Sequence, residues 1–405
     1  MGLLYLLLCS LYGLRDAPRL WYLFWTNILR KLGFIQSRVD PCLWRRGVNT
    51  PAEISLLFWV DDSITATITQ GVFESFYAEI SEQIELTRSA VSSQFTFVGI
   101  SVEYNRAKKT VFLHQTPFSI TILQRFGLAD ANPTLVPMSA DVRISPATPE
   151  DVVPLAQIRH FQAMVGCLIY LEQGTRFDLA FPISQLTRVM GAPNQLHLGY
   201  VKQVYRYIAG TRNLGITYGA PDSVITQASL DGFNFPLSTY VDASLGSEHT
   251  KGKSPTGVIV CHFGSPIIWS SHLQSVVALS TMESEMMATS TGTQLTLFAR
   301  NVFAELGCVQ HEPTKVWSDN LSNILCIKNQ SSTPRSRHID LRFHFISEQV
   351  SRGAISILHI PGDSNPADLL TKPLPQPRFH LYRNALMRIT TSGLKITSRQ
   401  FVDNK

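Results

Sequence analysis

Between residues 237 and 370 the chain repeats a short order of apolar runs that leaves few folds open. Leu237-Ser238-Thr239-Tyr240-Val241-Asp242 reads as a strand ending on a carboxylate, and residues 257–263 and 266–271 as two more strands around Gly264. Residues 278–285 enter a long helix that runs to about Leu306. Lys315-Val316-Trp317-Ser318-Asp319 is a strand with an acid at its end, followed by a helix from Leu321. Residues 355–360 form a last strand, and Asn365-Pro366-Ala367-Asp368-Leu369-Leu370 opens a last helix. Four acids, Asp242, Glu285, Asp319 and Asp368, fall at strand ends or helix starts, where they can converge.

Converging carboxylates have a chemical use. Two magnesium ions that activate a water and stabilise a departing 3′ oxygen need several hard oxygen ligands to offset their charge. Singly, each acid is also what a helix cap or surface residue looks like. Glu283 is a neighbouring acid, but one turn of helix faces only one of Glu283 and Glu285 inward. A second acidic feature is Phe58-Trp59-Val60-Asp61-Asp62, where residues 54–60 read as an apolar strand and 63–68 as its return. Two carboxylates at one tight turn repel unless a metal or basic group sits there; a solvated hairpin turn is the plainer alternative.

Composition narrows the class. With 405 residues the chain is long enough for two or three domains, and 44% hydrophobic against 16% charged residues excludes a disordered chain. A formal charge of +5 permits a polyanionic partner without demanding one. Cys9, Cys42, Cys167, Cys261, Cys308 and Cys326 are scattered with no C-x-x-C pair, which argues against zinc and for reduced thiols in an intracellular, non-secreted protein. The apolar run from Gly2 to Leu14 lacks a basic leader and is too short to span a bilayer, so no membrane is expected.

Further motifs fill the rest. Residues 11–22 join a glycine turn to an aromatic helix, with Arg15 and Arg19 where a phosphate could be held. Residues 97–104 and 110–115 read as paired strands, and 117–126 as a helix. Residues 141–154 read as a proline- and acid-rich linker, followed by helical blocks at 158–171, 178–190 and 195–209. Residues 333–344 interleave Arg335, Arg337, His338 and Arg342 with apolar and aromatic residues, a pattern suited to a nucleic-acid backbone.

Several of these motifs together resemble copia-type LTR retrotransposon Pol. Leu11-Tyr12-Gly13-Leu14-Arg15-Asp16-Ala17-Pro18-Arg19 is similar to that family's L-Y-G-L-K-Q-A-P-R segment, and Trp59-Val60-Asp61-Asp62 to its polymerase hairpin. Thr175-Arg176-Phe177-Asp178 and residues 206–211 resemble its connecting region. Asp242, Glu285, Asp319 and Asp368 fall at the matching positions of its ribonuclease H motifs, and residues 333–344 resemble its R-S-K-H-I-D-I-R-Y-H segment. The likeness covers residues 11 to about 377.

The resemblance implies an α+β / α/β multidomain chain. A truncated reverse transcriptase palm and thumb is expected over 1–138, a linker and helical connection over 139–232, a ribonuclease H-like domain over 233–375, and a basic, solvated tail over 376–405. It implies magnesium on Asp242, Glu285, Asp319 and Asp368 as a two-metal site, and an incomplete metal site on Asp61 and Asp62, since the third palm carboxylate is expected upstream of this sequence. Arg15, Arg19, Arg335, Arg337, His338 and Arg342 are the implied contacts to template-primer or RNA–DNA hybrid. Asp16 departs from the family pattern, placing a carboxylate where phosphate would be repelled. The expected activity is magnesium-dependent cleavage of RNA in hybrids with an inactive polymerase; the alternative is a catalytically dead remnant that at most binds nucleic acid.

Overall fold

The computed structural model describes residues 13–89, 93–219, 237–246, 248–329 and 337–389. The apolar stretch before residue 13, Arg335 and the basic residues beyond 389 lie outside the described residues. The chain divides into two units, Met1–Val98 with Asn301–Val309, and Gly99–Arg300 with Gln310–Lys405.

In the first unit, α1 (Ala17–Lys31) carries Pro18 in its first turn, where a missing N–H is no loss. It turns Trp25, Ile28 and Leu29 inward at helical spacing. The strands β1 (Ile35–Gln36), β2 (Leu43–Arg46), β3 (Ile54–Trp59) and β4 (Asp62–Thr67) form an antiparallel sheet in that order, and α2 (Gln70–Ser81) and the short strand β5 (Gln94–Phe97) follow. Alternation along β3 buries Ile54, Leu56 and Phe58, which pack with the α1 face, Trp44, Phe76 and Ile80 into one core. The hairpin turns one residue earlier than the apolar run suggests. Trp59 pairs with Asp62, so Val60 and Asp61 make the turn, and Val60 takes a φ of 55° that a β-branched residue rarely adopts. Trp21 Nε1–H donates to the Val60 carbonyl and holds it there.

In the second unit, β6 (Ile100–Asn105) and β7 (Thr110–His114) pair as expected, and β8 (Gly215–Tyr218) joins β7. Between them lie α3 (Thr116–Arg125), α4 (Leu155–Gly174), α5 (Ala180–Thr187) and α6 (Gln195–Thr211). There follow β9 (Leu237–Ala243), β10 (Lys253–His262), β11 (Ser265–Val277), α7 (Thr281–Glu305), β12 (Thr314–Ser318), α8 (Leu321–Asn329), α9 (Arg337–Ser351), β13 (Ile355–His359) and α10 (Gln376–Met387). The sheet runs β11-β10-β9-β12-β13, antiparallel across the first three strands and parallel across the last three. This is the ribonuclease H-like sheet that the sequence predicts. α7 packs close on it because it carries small residues. A Cβ on Gly292 would stand 2.3 Å from Val241 Cγ1. The buried hydroxyls of Thr289, Thr293 and Thr296 are satisfied by carbonyls four residues back.

Three expectations about the second unit need correction. The stretch read as a linker has a buried anchor at each end, Ile144 and Val153. Residues 366–370 form a 3-10 turn and no α-helix. The tail read as solvated opens with α10, whose Phe379, Tyr382, Leu386 and Met387 are buried. Apolar residues three and four apart decide where this helix docks. Helices α3 to α6, one face of the sheet and α10 share a single core that includes Phe177, Tyr205, Ile259, Cys261, Leu369 and Tyr382.

A charged ring is sealed inside this core. Arg176 forks onto Asp178 through two bonds of 2.9 Å, and its other N–H groups reach the Thr211 carbonyl and hydroxyl. Tyr207 O–H donates to Asp178 at 2.7 Å, and Arg383 from α10 donates to Tyr207 at 3.0 Å. Burial alone would raise Asp178, but the charge and hydrogen bonds of Arg176, the Tyr207 hydroxyl and the nearby charge of Arg383 hold it below the usual carboxylate range.

Nearby, Glu172 on α4 accepts from Trp269 Nε1 at 2.9 Å. Burial, with Asp178 adding to it, pushes its carboxyl up to about 7. Its folded pKa therefore exceeds the unfolded one, so the folded state holds a proton that the unfolded state has released, and stability falls as pH rises from about 4.5 through about 7. Glu172→Gln keeps the acceptor and removes the charge. Thermal melts should show no gain at pH 4.5 and, at pH 8, a gain of up to about 3 kcal/mol; equal melting temperatures at pH 8 would refute the assignment. Among the described residues no helix is long and apolar enough to cross a membrane.

Candidate metal centre

Each of the four C-terminal acids is placed by a different local device. Along β9, Leu237, Thr239 and Val241 face one way, and Asp242 is buried on the other face, opposite Gly257 of β10. Gly257 has no side chain for a reason. A Cβ there would lie 2.7 Å from Thr371 Cγ2 and 2.8 Å from the Ala367 carbonyl, so the glycine admits the 366–370 turn against the sheet. Asn365, fully buried, ties that turn down. Its Nδ2 donates to the Val241 carbonyl at 2.9 Å, and its Oδ1 caps the turn at Ala367 N–H. Asp368 is thereby brought beside Asp242.

Glu285 comes from the first turn of α7. Ser280 caps the helix at Glu283 N–H, and the Glu283 carboxylate returns to Leu279 N–H at 2.8 Å, so Glu283 serves the helix start. Glu285 is the acid turned in: Ala243 N–H donates to its Oε1 at 3.1 Å, and its Oε2 is buried without a hydrogen-bond partner. Two buried amides pin this turn. Gln274 donates to the Ser284 carbonyl at 2.8 Å and to Thr256 Oγ1 at 3.0 Å, and Asn323 donates to the Met282 carbonyl at 3.1 Å. Asp319, half-buried, follows the last residue of β12.

Asp242, Glu285 and Asp319 each bring a carboxylate oxygen within 4.8 Å of the others. Packing three acids this closely has the electrostatic effect expected of it. Burial first, and then the charges of Asp242 and Asp319, push Glu285 up to about 9. Asp319 is raised by burial and by Asp242, and Asp368 is raised to about 7 by the same two causes. Asp368 differs from the triad in being paired with two cations of the chain. Lys372 Nζ lies 2.6 Å from its Oδ1 and 3.8 Å from Asp242 Oδ2, and Arg378 Nη2 lies 2.6 Å from its Oδ2. Thr371 O–H donates to Asp242 Oδ2.

The other candidate residues are not gathered into this centre. Asp61 and Asp62 are exposed at the tip of the β3–β4 hairpin, and among the described residues no third acid, histidine or cysteine joins them in a ligand-spaced group. Arg15 and Arg19 are exposed at the start of α1. Arg337 and His338 open α9, where Arg342 is partly exposed. Reading the sequence missed Gly257, Asn365, Gln274, Asn323, Lys372 and Arg378. Two of these carry a local signal: a glycine inside a strand marks close approach, and Asn before Pro marks a capped turn.

The reverse transcriptase (RNA-dependent DNA polymerase) family matches residues 2–140. The retrovirus-related Pol polyprotein from transposon TNT 1-94 of Nicotiana tabacum is 30% identical over 377 residues, covering 92% of this chain and 27% of that protein. The retrovirus-related Pol polyprotein from transposon RE1 of Arabidopsis thaliana is 27% identical, covering 93% and 24%. This chain thus spans about a quarter of the length of either relative. Among solved structures, the foamy viral protease-reverse transcriptase dRH in complex with double-stranded DNA aligns with a TM-score of 0.45 at 12% identity, over 86% of this chain and 50% of that one.

Proposed function

The chain belongs with the copia-type retrotransposon Pol polyproteins, and from that premise we propose that its C-terminal sheet cuts the RNA strand of an RNA–DNA hybrid with the help of magnesium. The observation that carries this reading is the triad. Three carboxylate oxygens crowd within 4.8 Å, and Glu285 Oε2 is buried with no hydrogen bond. An all-oxygen, anionic set of this kind fits a hard divalent cation. Without one, Glu285 is forced to keep its proton at neutral pH.

Asp242, Glu285 and Asp319 would hold one ion, and Asp242 and Asp368 would offer ligands to a second. Bound magnesium supplies activation of the attacking water and neutralisation of the departing 3′ oxygen. The protein's own part is positional. Ala243 N–H and the Gln274 and Asn323 amides fix Glu285; Thr371 O–H orients Asp242; Asn365 and Gly257 seat the turn that bears Asp368. Arg335, Arg337, His338 and Arg342 serve as backbone contacts to the hybrid. Arg15 and Arg19 are assigned to a template-primer duplex in the same way. Asp61 and Asp62 are read as the acids of the polymerase hairpin, but two exposed carboxylates fall short of a two-ion cage, so no nucleotide addition is expected from this chain alone.

The test is cleavage of a hybrid labelled on its RNA strand, with single-stranded RNA and duplex DNA as controls. Cutting of the hybrid that needs magnesium, stops in chelator and is lost in Asp319→Asn is the expected result. A folded chain that leaves the hybrid intact at all magnesium concentrations would make the remnant reading the correct one.

A further inference from the structure

The cations on Asp368 are of two kinds. Arg378 is a fixture: besides Asp368 it donates to the Gly362 carbonyl, its Nε bonds Tyr382 Oη at 3.0 Å, and its guanidinium lies over the Tyr382 ring at 5.5 Å. Lys372 is held differently. Its ammonium is paired with carboxylates, 2.6 Å from Asp368 and 3.8 Å from Asp242, and its side chain is 41% exposed. It also lines a cavity of about 150 Å³ whose wall includes Arg143, Leu245, His249 and Pro373. The tether is flexible, the exit is open, and the seat lies between two acids.

Charge arithmetic gives that seat a meaning. With all four acids ionised, Lys372 and Arg378 leave two negative charges, which a single divalent cation on the triad balances. A second divalent cation between Asp242 and Asp368 would meet an ammonium already there. At about 4 Å, two like charges repel by several kcal/mol at the effective dielectric of a partly buried site.

We propose that Lys372 is a displaceable counter-ion: its ammonium occupies the place between Asp242 and Asp368, and a second divalent cation enters by driving Lys372 out toward the adjoining cavity. This rests on the metal-centre reading above. The consequence is sequential loading, in which the triad fills first and the second position fills weakly, when enough cation or the negative phosphate of a substrate is present. Lys372 is a positioning residue, acting on the second ion through Asp242 and Asp368.

Manganese titration of the full chain without nucleic acid, with free manganese read by electron paramagnetic resonance, tests this directly. Wild type should show one tighter and one weaker site. In Lys372→Met the weaker site should tighten by about ten-fold or more while the tighter one changes by less than about two-fold, and Lys372→Arg should keep it weak. A second readout needs no variant: acetylation of Lys372 in wild type, followed by mass spectrometry, should stay low while the tighter site fills and rise as the weaker one does. A tighter site with a second site that Lys372→Met leaves unchanged or abolishes, or Lys372 reactivity that is flat across the titration, overturns the counter-ion role alone. No manganese bound at any concentration overturns the metal centre itself, and the counter-ion role with it.

Discussion

Asp242→Asn is expected to lower hybrid cleavage by about 10³-fold or more and, in the same preparation, to raise the melting temperature measured in chelator. The two effects have one cause. Asp242 is the acid that meets all the others: its charge contributes to raising Glu285, Asp319 and Asp368. In the absence of a cation that repulsion burdens the folded state, because the unfolded chain holds its acids apart. Asparagine keeps the shape and the carbonyl that accepts from Thr371, but removes the charge. Each kcal/mol relieved should appear as a rise of about 2–4 °C. Added magnesium should stabilise wild type more than the variant, in which Glu285 and Asp319 are the only members of the triad left to offer charge to an ion. A fall in melting temperature in chelator would show that Asp242 is held mainly by Lys372 and Thr371, and that the acids do not strain one another.

How much of this was legible in the sequence depends on what kind of signal each part leaves. The five strands of the C-terminal sheet stand out because apolar runs of strand length alternate with turns and helices, and strand ends fix where an acid can sit. Hence Asp242 and Asp319 could be placed from periodicity, whereas the helix turn shared by Glu283 and Glu285 admits only one of them inward and the resemblance to the ribonuclease H motif is what points to Glu285. What periodicity cannot show is which side chains hold the acids in place. Asn365, Gln274 and Asn323 act through hydrogen bonds to the carbonyls of residues 241, 284 and 282, contacts set by tertiary packing. Lys372 reads as one more basic residue after a turn until the fold brings it between two carboxylates.

The tail shows the opposite failure. A basic segment at the end of the sequence reads as solvated, yet Phe379, Tyr382 and Leu386 decide its fate by docking α10 into the core. The same step converts Arg378 and Arg383 from surface charges into partners of Asp368 and Tyr207. At the β3–β4 hairpin the sequence puts both acids in the turn, but only Asp61 lies there; Asp62 already pairs with Trp59 in β4. Val60 takes the left-handed conformation that residue preference would assign to glycine or asparagine, with its carbonyl held by Trp21.

The buried ring around Asp178 supports the second large prediction. Arg176→Met should destabilise the second unit by about 3–5 kcal/mol, read as a drop in the denaturation midpoint. The substitution keeps the length of the side chain but strands a carboxylate that is fully buried between α4 and α6. A matched Arg176→Met, Asp178→Leu double variant should recover part of that loss, because no acid is then left uncompensated. The pH dependence separates this cause from a simple packing defect. In wild type Asp178 is held below its ordinary value, so its stabilising contribution is present above that value and is lost only as pH falls through the lower folded one. In Arg176→Met the sign reverses: burial without the guanidinium raises the carboxyl, and the penalty fades as pH falls toward about 4. The gap between wild type and variant should therefore narrow from pH 7 to pH 4.5. A gap independent of pH would mean that Arg176 matters for its bulk, and that the charge on Asp178 is supported by Tyr207 and Arg383 alone.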